Sequence, residues 1–230
     1  EIGLSPIRRS RADSLMASDT IRIARRNGII PTLPLPRLKA GGPAHRSTGG
    51  PPKLESLTAL ATDRGWAAVY PLAQQQIAAR EVDHRRSLRR TPSVAFVETR
   101  WEEFMSWICD NGGFEGGGRW LNRAYQSSVE AGNPVLTSYV LMRQSQRALD
   151  DGDARTAVAL SRQALGGQDL PPRTRALCLS RLAEGLALAG DGEGLELAAT
   201  ALTQAQARNA RPDDLISQHC DHRYVNAVRA

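Results

Sequence analysis

The chain has 230 residues, 41% of them hydrophobic but only 5% aromatic, with 30 lysines and arginines against 24 acids for a formal charge of +6. That length allows one or two domains, and the sparse aromatics imply that part of the chain lies outside any packed core. No stretch reaches the roughly 18 apolar residues that a bilayer span needs, so no membrane partner is expected.

Residues 1–54 hold ten cations and three acids, whereas residues 101–230 hold thirteen and sixteen. Pro31, Pro34, Pro36, Pro43, Pro51 and Pro52 interrupt any long helix in the front segment. It reads as a disordered basic leader. Such a segment gains affinity for polyanions by releasing counterions, and a solvated basic linker has the same composition.

Residues 55–91 carry Leu57, Leu60, Ala61, Trp66, Val69, Leu72, Ile77 and Leu88 at intervals near three and four, which predicts a helical linker of one or two helices. Arg80, Arg85, Arg86, Arg89 and Arg90 gather at its far end. On a helix Arg85, Arg86, Arg89 and Arg90 share a side, making them candidates for phosphate contact, although a solvated face has the same pattern.

Pro92 marks a fresh start, and residues 92–230 then repeat one unit of an apolar helix, a Gly-centred turn and a second helix. The turn glycines are Gly112, Gly152 and Gly190, each followed twelve residues on by Ala124, Ala164 or Leu202. Repeats of this length mark stacked helix pairs, with a fourth unit beginning near Asp213. Gly116, Gly117 and Gly118 open a second helix where close packing is the better reading. Cys109, Cys178 and Cys220 sit far apart within helical patterns, which suits buried thiols in a reducing compartment and hence a cytoplasmic location.

The pattern resembles the tetratricopeptide repeat. Trp101 stands at the early aromatic of the first helix, Ser145 and Ala183 at its small position, and Ala157 with Ala164 at the alanine pair of the second helix. Met105, Gly117, and Leu195 with Leu202 depart from it, and the period exceeds the usual 34 residues. The fold expected is therefore all-α, an α-solenoid of tetratricopeptide-like hairpins behind the disordered basic N-terminal segment. The run from Trp101 through Phe104, Trp107, Arg119 and Trp120, with Glu130 to Pro134, Tyr139 to Arg143 and Leu170 to Arg173, is similar to the sensor half of bacterial regulators that join an XRE-like helix-turn-helix to tetratricopeptide repeats. This resemblance implies a regulator that binds a peptide or protein ligand. Residues 1–93 do not match the helix-turn-helix, so DNA binding would need such a domain outside this sequence. A homodimer is also allowed for, and the alternative is a free-standing interaction scaffold.

In such a stack the first helices line an inner groove. Its expected side chains are Glu102, Ser106, Tyr139, Met142, Gln146, Ser180 and Glu184, with Arg143 and Arg147 poised for a peptide carboxylate or for Asp150 and Asp151. Each position suits an ordinary solvated side chain equally well.

His219, Cys220 and His222 fall short of the four ligands a zinc site takes. The glycines at 112–118 lack the strand and spacing of a dinucleotide fingerprint, and neither lysine belongs to a P-loop. No enzyme, metal or cofactor is expected.

Overall fold

The computed structural model describes residues 54–86, 91–166 and 169–205, and the expectations for the leader, for the His219 cluster and for the fourth unit lie outside them. The described residues are all-α. Their helices are α1 (Leu54–Arg64), α2 (Trp66–Arg86), α3 (Pro92–Gly112), α4 (Gly117–Glu130), α5 (Pro134–Asp150), α6 (Ala154–Leu165), α7 (Pro172–Leu188) and α8 (Glu193–Ala205). None of them is long and apolar enough to cross a membrane.

Local chemistry sets the boundaries. Thr91 caps α3 by accepting from the Val94 amide, Asn133 caps α5 through Leu136, and Asp153 caps α6 through Thr156. Pro92, Pro134 and Pro172 occupy first-turn positions, where the missing amide hydrogen costs nothing. Gly65, Gly113, Gly152 and Gly190 adopt left-handed φ angles of 79, 71, 77 and 81° between paired helices. In the first repeat the left-handed turn residue is Gly113, and the expected Gly112 is the last helical residue.

Consecutive helices pack on one another, and α5 also meets α7. The helices expected in the linker, α1 and α2, pack onto α3. Leu57, Ala61, Val69, Ala73 and Ile77 of α1 and α2 share one apolar cluster with Trp101, Phe104, Met105, Trp107 and Ile108 of α3. Leu121 and Ala124 of α4 pack with Val140 of α5, and a further cluster joins α5 to α6, α7 and α8. Tyr125 packs against both of the last two, so the apolar seam continues between them. Cys109 and Cys178 are buried free thiols, and burial pushes the Cys178 thiol up to about 12.

Close approach within each hairpin depends on residues with little or no side chain. Gly117 and Ala124, Ala157 and Ala164, and Gly194 and Ala201 are all buried, and each pair is seven residues apart. The last pair corrects the expectation of Leu195 and Leu202, since Leu195 is 74% exposed. One residue fewer separates Gly190 from Gly194 than Gly152 from Ala157, and that rotates the helix face by about 100°. Val129 of α4 is also exposed. Opposite these small residues, Ser145 donates to the Ala157 carbonyl at 2.9 Å and lies 2.7 Å from the Ser161 hydroxyl.

At Gly194 an added Cβ would sit 2.7 Å from the Ala183 carbonyl oxygen and 3.1 Å from the Ala187 nitrogen, both main-chain atoms, whereas at Gly192 it would meet nothing within 4 Å. Gly194→Ala is therefore expected to destabilise the fold by about 1–3 kcal/mol. Gly192→Ala should be neutral or slightly stabilising. Urea unfolding midpoints of the two variants test this, and equal midpoints would contradict it.

Candidate functional site

Three helices contribute the walls of a cleft of about 300 Å³. Ile77, Arg80 and Glu81 come from α2, Glu98, Trp101 and Glu102 from α3, and Arg123, Gln126, Ser127 and Glu130 from α4. Within each helix these residues fall at offsets of three, four or seven, so one face of each turns toward the same space.

Trp101, buried by its neighbours, forms the floor, and the Arg80 guanidinium lies 5.1 Å from its ring centroid. That distance is a cation–π contact. Arg80 Nε is buried with no hydrogen-bond partner among the described residues. Across the cleft Arg123 ties three helices together, donating to Glu102 at 3.1 Å and to Glu81 at 2.7 Å while its guanidinium lies 4.8 Å from the Trp120 ring. Ser127 donates to the other Glu102 oxygen at 2.7 Å.

Glu102 is 4% exposed, and burial pushes its carboxyl above the ordinary glutamate range. The Ser127 hydrogen bond and the Arg123 charge pull the other way without overcoming burial, and the Glu98 carboxylate adds to the rise. The cleft thus combines an aromatic floor, a desolvated carboxyl and two fixed guanidiniums. It can hold a small polar or charged group by hydrogen bonds and ring contact, as side-chain-sized ligand clefts do.

Of the groove residues expected from sequence, Glu102 lines this cleft and the other eight do not. Tyr139 and Met142 belong to the core, at 5% and 1% exposure. Ser106 is buried beside Asp110, and Ser180 donates to the Ala176 carbonyl of its own helix at 2.9 Å. Arg143 is buried, donating to Glu103 at 2.9 Å and to Gln146, while Arg147 pairs with Asp110. Glu184 accepts from Arg181 at 2.6 and 2.8 Å. The partners expected for Arg143 and Arg147 within their own turn are thus replaced by acids of α3. The physical reason is that α5 and α7 are covered on nearly every side, by the preceding hairpin as well as by their own partners. Helical spacing tells which residues share a face but not where that face points.

Arg85 and Arg86 end α2, though their side chains lie outside the described set, as do Arg89 and Arg90 entirely. Close packing at Gly117 and Gly118 has a definite occupant. Added Cβ atoms there would run into the Asp110 carboxylate and the Arg147 guanidinium. Sequence reasoning passed over Arg123, Gln126, Ser127 and Glu130. Their offsets of three, four and seven were a usable signal, but only contact with α2 and α3 makes them a wall.

Because the Glu102 pKa is raised on folding, the native state holds a proton there that the unfolded chain releases near pH 4.5. Its destabilising contribution is absent at lower pH and grows as pH rises through the raised value. Glu102→Gln, which keeps the Ser127 hydrogen bond, should therefore gain stability relative to the parent between pH 4 and 7. Denaturant titrations across that range test it, and a variant whose relative stability falls as pH rises would refute it. No protein-family model, no curated protein and no solved structure matches the chain.

Proposed function

We propose that the chain is a protein- or peptide-binding module built as an α-solenoid of tetratricopeptide-like hairpins, with the cleft between α2, α3 and α4 as a contact point for its ligand. Support for the solenoid comes from the three buried pairs of small residues, Gly117 with Ala124, Ala157 with Ala164 and Gly194 with Ala201. In the family resembled, a small pair at this spacing lets the second helix close on the first. The left-handed turn glycines at 113, 152 and 190 give the spacing of a repeat.

The observation that carries the binding role is the cleft itself. An aromatic floor ringed by charged and amide side chains from three helices is costly to maintain inside a fold, and such groups recur at recognition sites. Its volume suits one anchoring side chain better than a whole helix. As the resemblance has it, the module would serve as the regulatory half of a bacterial transcription regulator, reading a peptide or protein signal.

Selection of peptides from a random display library on the purified chain tests the reading. Gln126 is exposed at the cleft wall, so Gln126→Trp fills the space without entering the core. The expected result is a recurring peptide sequence whose affinity drops by at least about tenfold in Gln126→Trp, a loss of roughly 1.4 kcal/mol. No enriched sequence, or binding indifferent to that substitution, would overturn the proposal.

A further inference from the structure

Two arginines of the cleft lay their guanidiniums over indole rings, Arg80 at 5.1 Å from the Trp101 centroid and Arg123 at 4.8 Å from that of Trp120, and the difference between them is in their acceptors. Arg123 donates from Nε to Glu102 and from a terminal nitrogen to Glu81. For Arg80 the described residues supply the ring and no acceptor, and its Nε is buried without a hydrogen-bond partner. We infer that the cleft seats a carboxylate of the bound peptide on the terminal nitrogens of Arg80; this rests on the peptide-binding reading.

Geometry suits that guest. A guanidinium is a rigid plane of five donors, so a face laid against a ring leaves the edge for hydrogen bonding. Nε is the Arg80 donor shut off from water, and Nη1 and Nη2 are the ones left to meet a ligand in the cleft. Two parallel N–H groups match the two oxygens of one carboxylate. Trp101 is itself buried, which orients the fork before the ligand arrives and lowers the ordering cost of binding.

The carboxylates of the lining do not compete for this fork. Arg123 holds Glu81 and one Glu102 oxygen, Ser127 holds the other Glu102 oxygen, and Glu98 and Glu130 are each engaged by other groups of the chain. Arg80 is thus the charged side chain of the lining that lacks a polar partner among the described residues. In a partly desolvated space a charge gains more from its counter-charge than it would in water. A carboxylate brings one negative charge to one guanidinium. A phosphate brings up to two, and Arg123, already committed to two carboxylates, is not free to meet the second. Gln126, exposed on the same wall, adds an uncharged amide donor.

An acidic side chain and a peptide C-terminus share this chemistry, and a cleft of about 300 Å³ takes either.

The test uses the full chain labelled with ¹⁵N and small blocked probes. N-acetylglutamate amide is expected to shift the Trp101 indole resonance saturably at millimolar concentration, and its neutral isostere N-acetylglutamine amide is not. N-acetylalanine, whose carboxylate is the terminal one, shows by binding more or less tightly than the glutamate probe which source the cleft prefers. Arg80→Gln should weaken the better carboxylate probe at least about tenfold. Arg80→Lys, which keeps the charge and loses the fork, should weaken it less, whereas a role for Arg80 confined to packing on Trp101 gives lysine no advantage over glutamine. Equal binding of the glutamate and glutamine probes, an unmoved Trp101 resonance, undiminished binding in Arg80→Gln, or tighter binding of N-acetylphosphoserine amide would overturn the inference. A display-selected peptide that occupies the cleft with neither an acidic residue nor a free C-terminus would overturn it too, while leaving the peptide-binding reading intact. Saturable, Arg80-dependent binding of a carboxylate probe with no selectable peptide would do the reverse.

Discussion

How closely the second helix of each hairpin can approach the first is the constraint on which the rest of this structure depends. At Gly194 the neighbouring main chain stands where a Cβ would be, and at Ala157 the Ser145 hydroxyl bonds the carbonyl directly. Backbones this close leave room for little beyond hydrogen and methyl. That fixes the interaxial distance of the pair, and with it the spacing at which the next hairpin can dock. In the first hairpin the space beside Gly117 is taken instead by the Asp110 carboxylate of α3 and the Arg147 guanidinium of α5.

The same closeness forces charge into the interior. Arg143 and Arg181 each stand nine residues before the left-handed glycine of their hairpin, and both are at most 5% exposed. Burial is the largest influence on Arg143 and works against its charge, but Glu103 across the helix boundary, together with Tyr139 and Asp110, outweighs it and keeps the guanidinium protonated. Buried ion pairs of this kind add little net stability, because desolvation cancels much of the attraction. Leaving one partner alone is what costs. The buried pair between α5 and α3, Arg143 with Glu103, therefore acts chiefly to penalise other registers of one hairpin on the next.

Much of this was legible from residue order. The helical class, the start at Pro92 and the turn glycines at 152 and 190 all follow from local chemistry that tertiary contacts reinforce. Two kinds of information were not local. A one-residue difference in turn length decided whether Gly194 or Leu195 faced α7, and sequence spacing counted from Gly112 placed the wrong one inward. Orientation was the other. Tyr139 and Met142 were read as groove residues because their helix was given an open side, and the packing of α4, α6 and α7 around α5 removed it. Of the site, only Glu102 was anticipated. The cleft owes its existence to α2 lying against α3 and α4, a contact that no pattern within residues 55–91 announces.

Coupling between neighbouring hairpins is the central claim, and hydrogen exchange measures it most directly. Ser145→Leu places a large side chain where Ser145 now meets Ala157 and Ser161, inside the α5–α6 hairpin. Exchange followed by mass spectrometry should show faster amide exchange spreading from α5 and α6 into α4 and α7, which share their apolar clusters. Acceleration confined to α5 and α6, with α4 and α7 as protected as in the parent chain, would contradict a continuous stack.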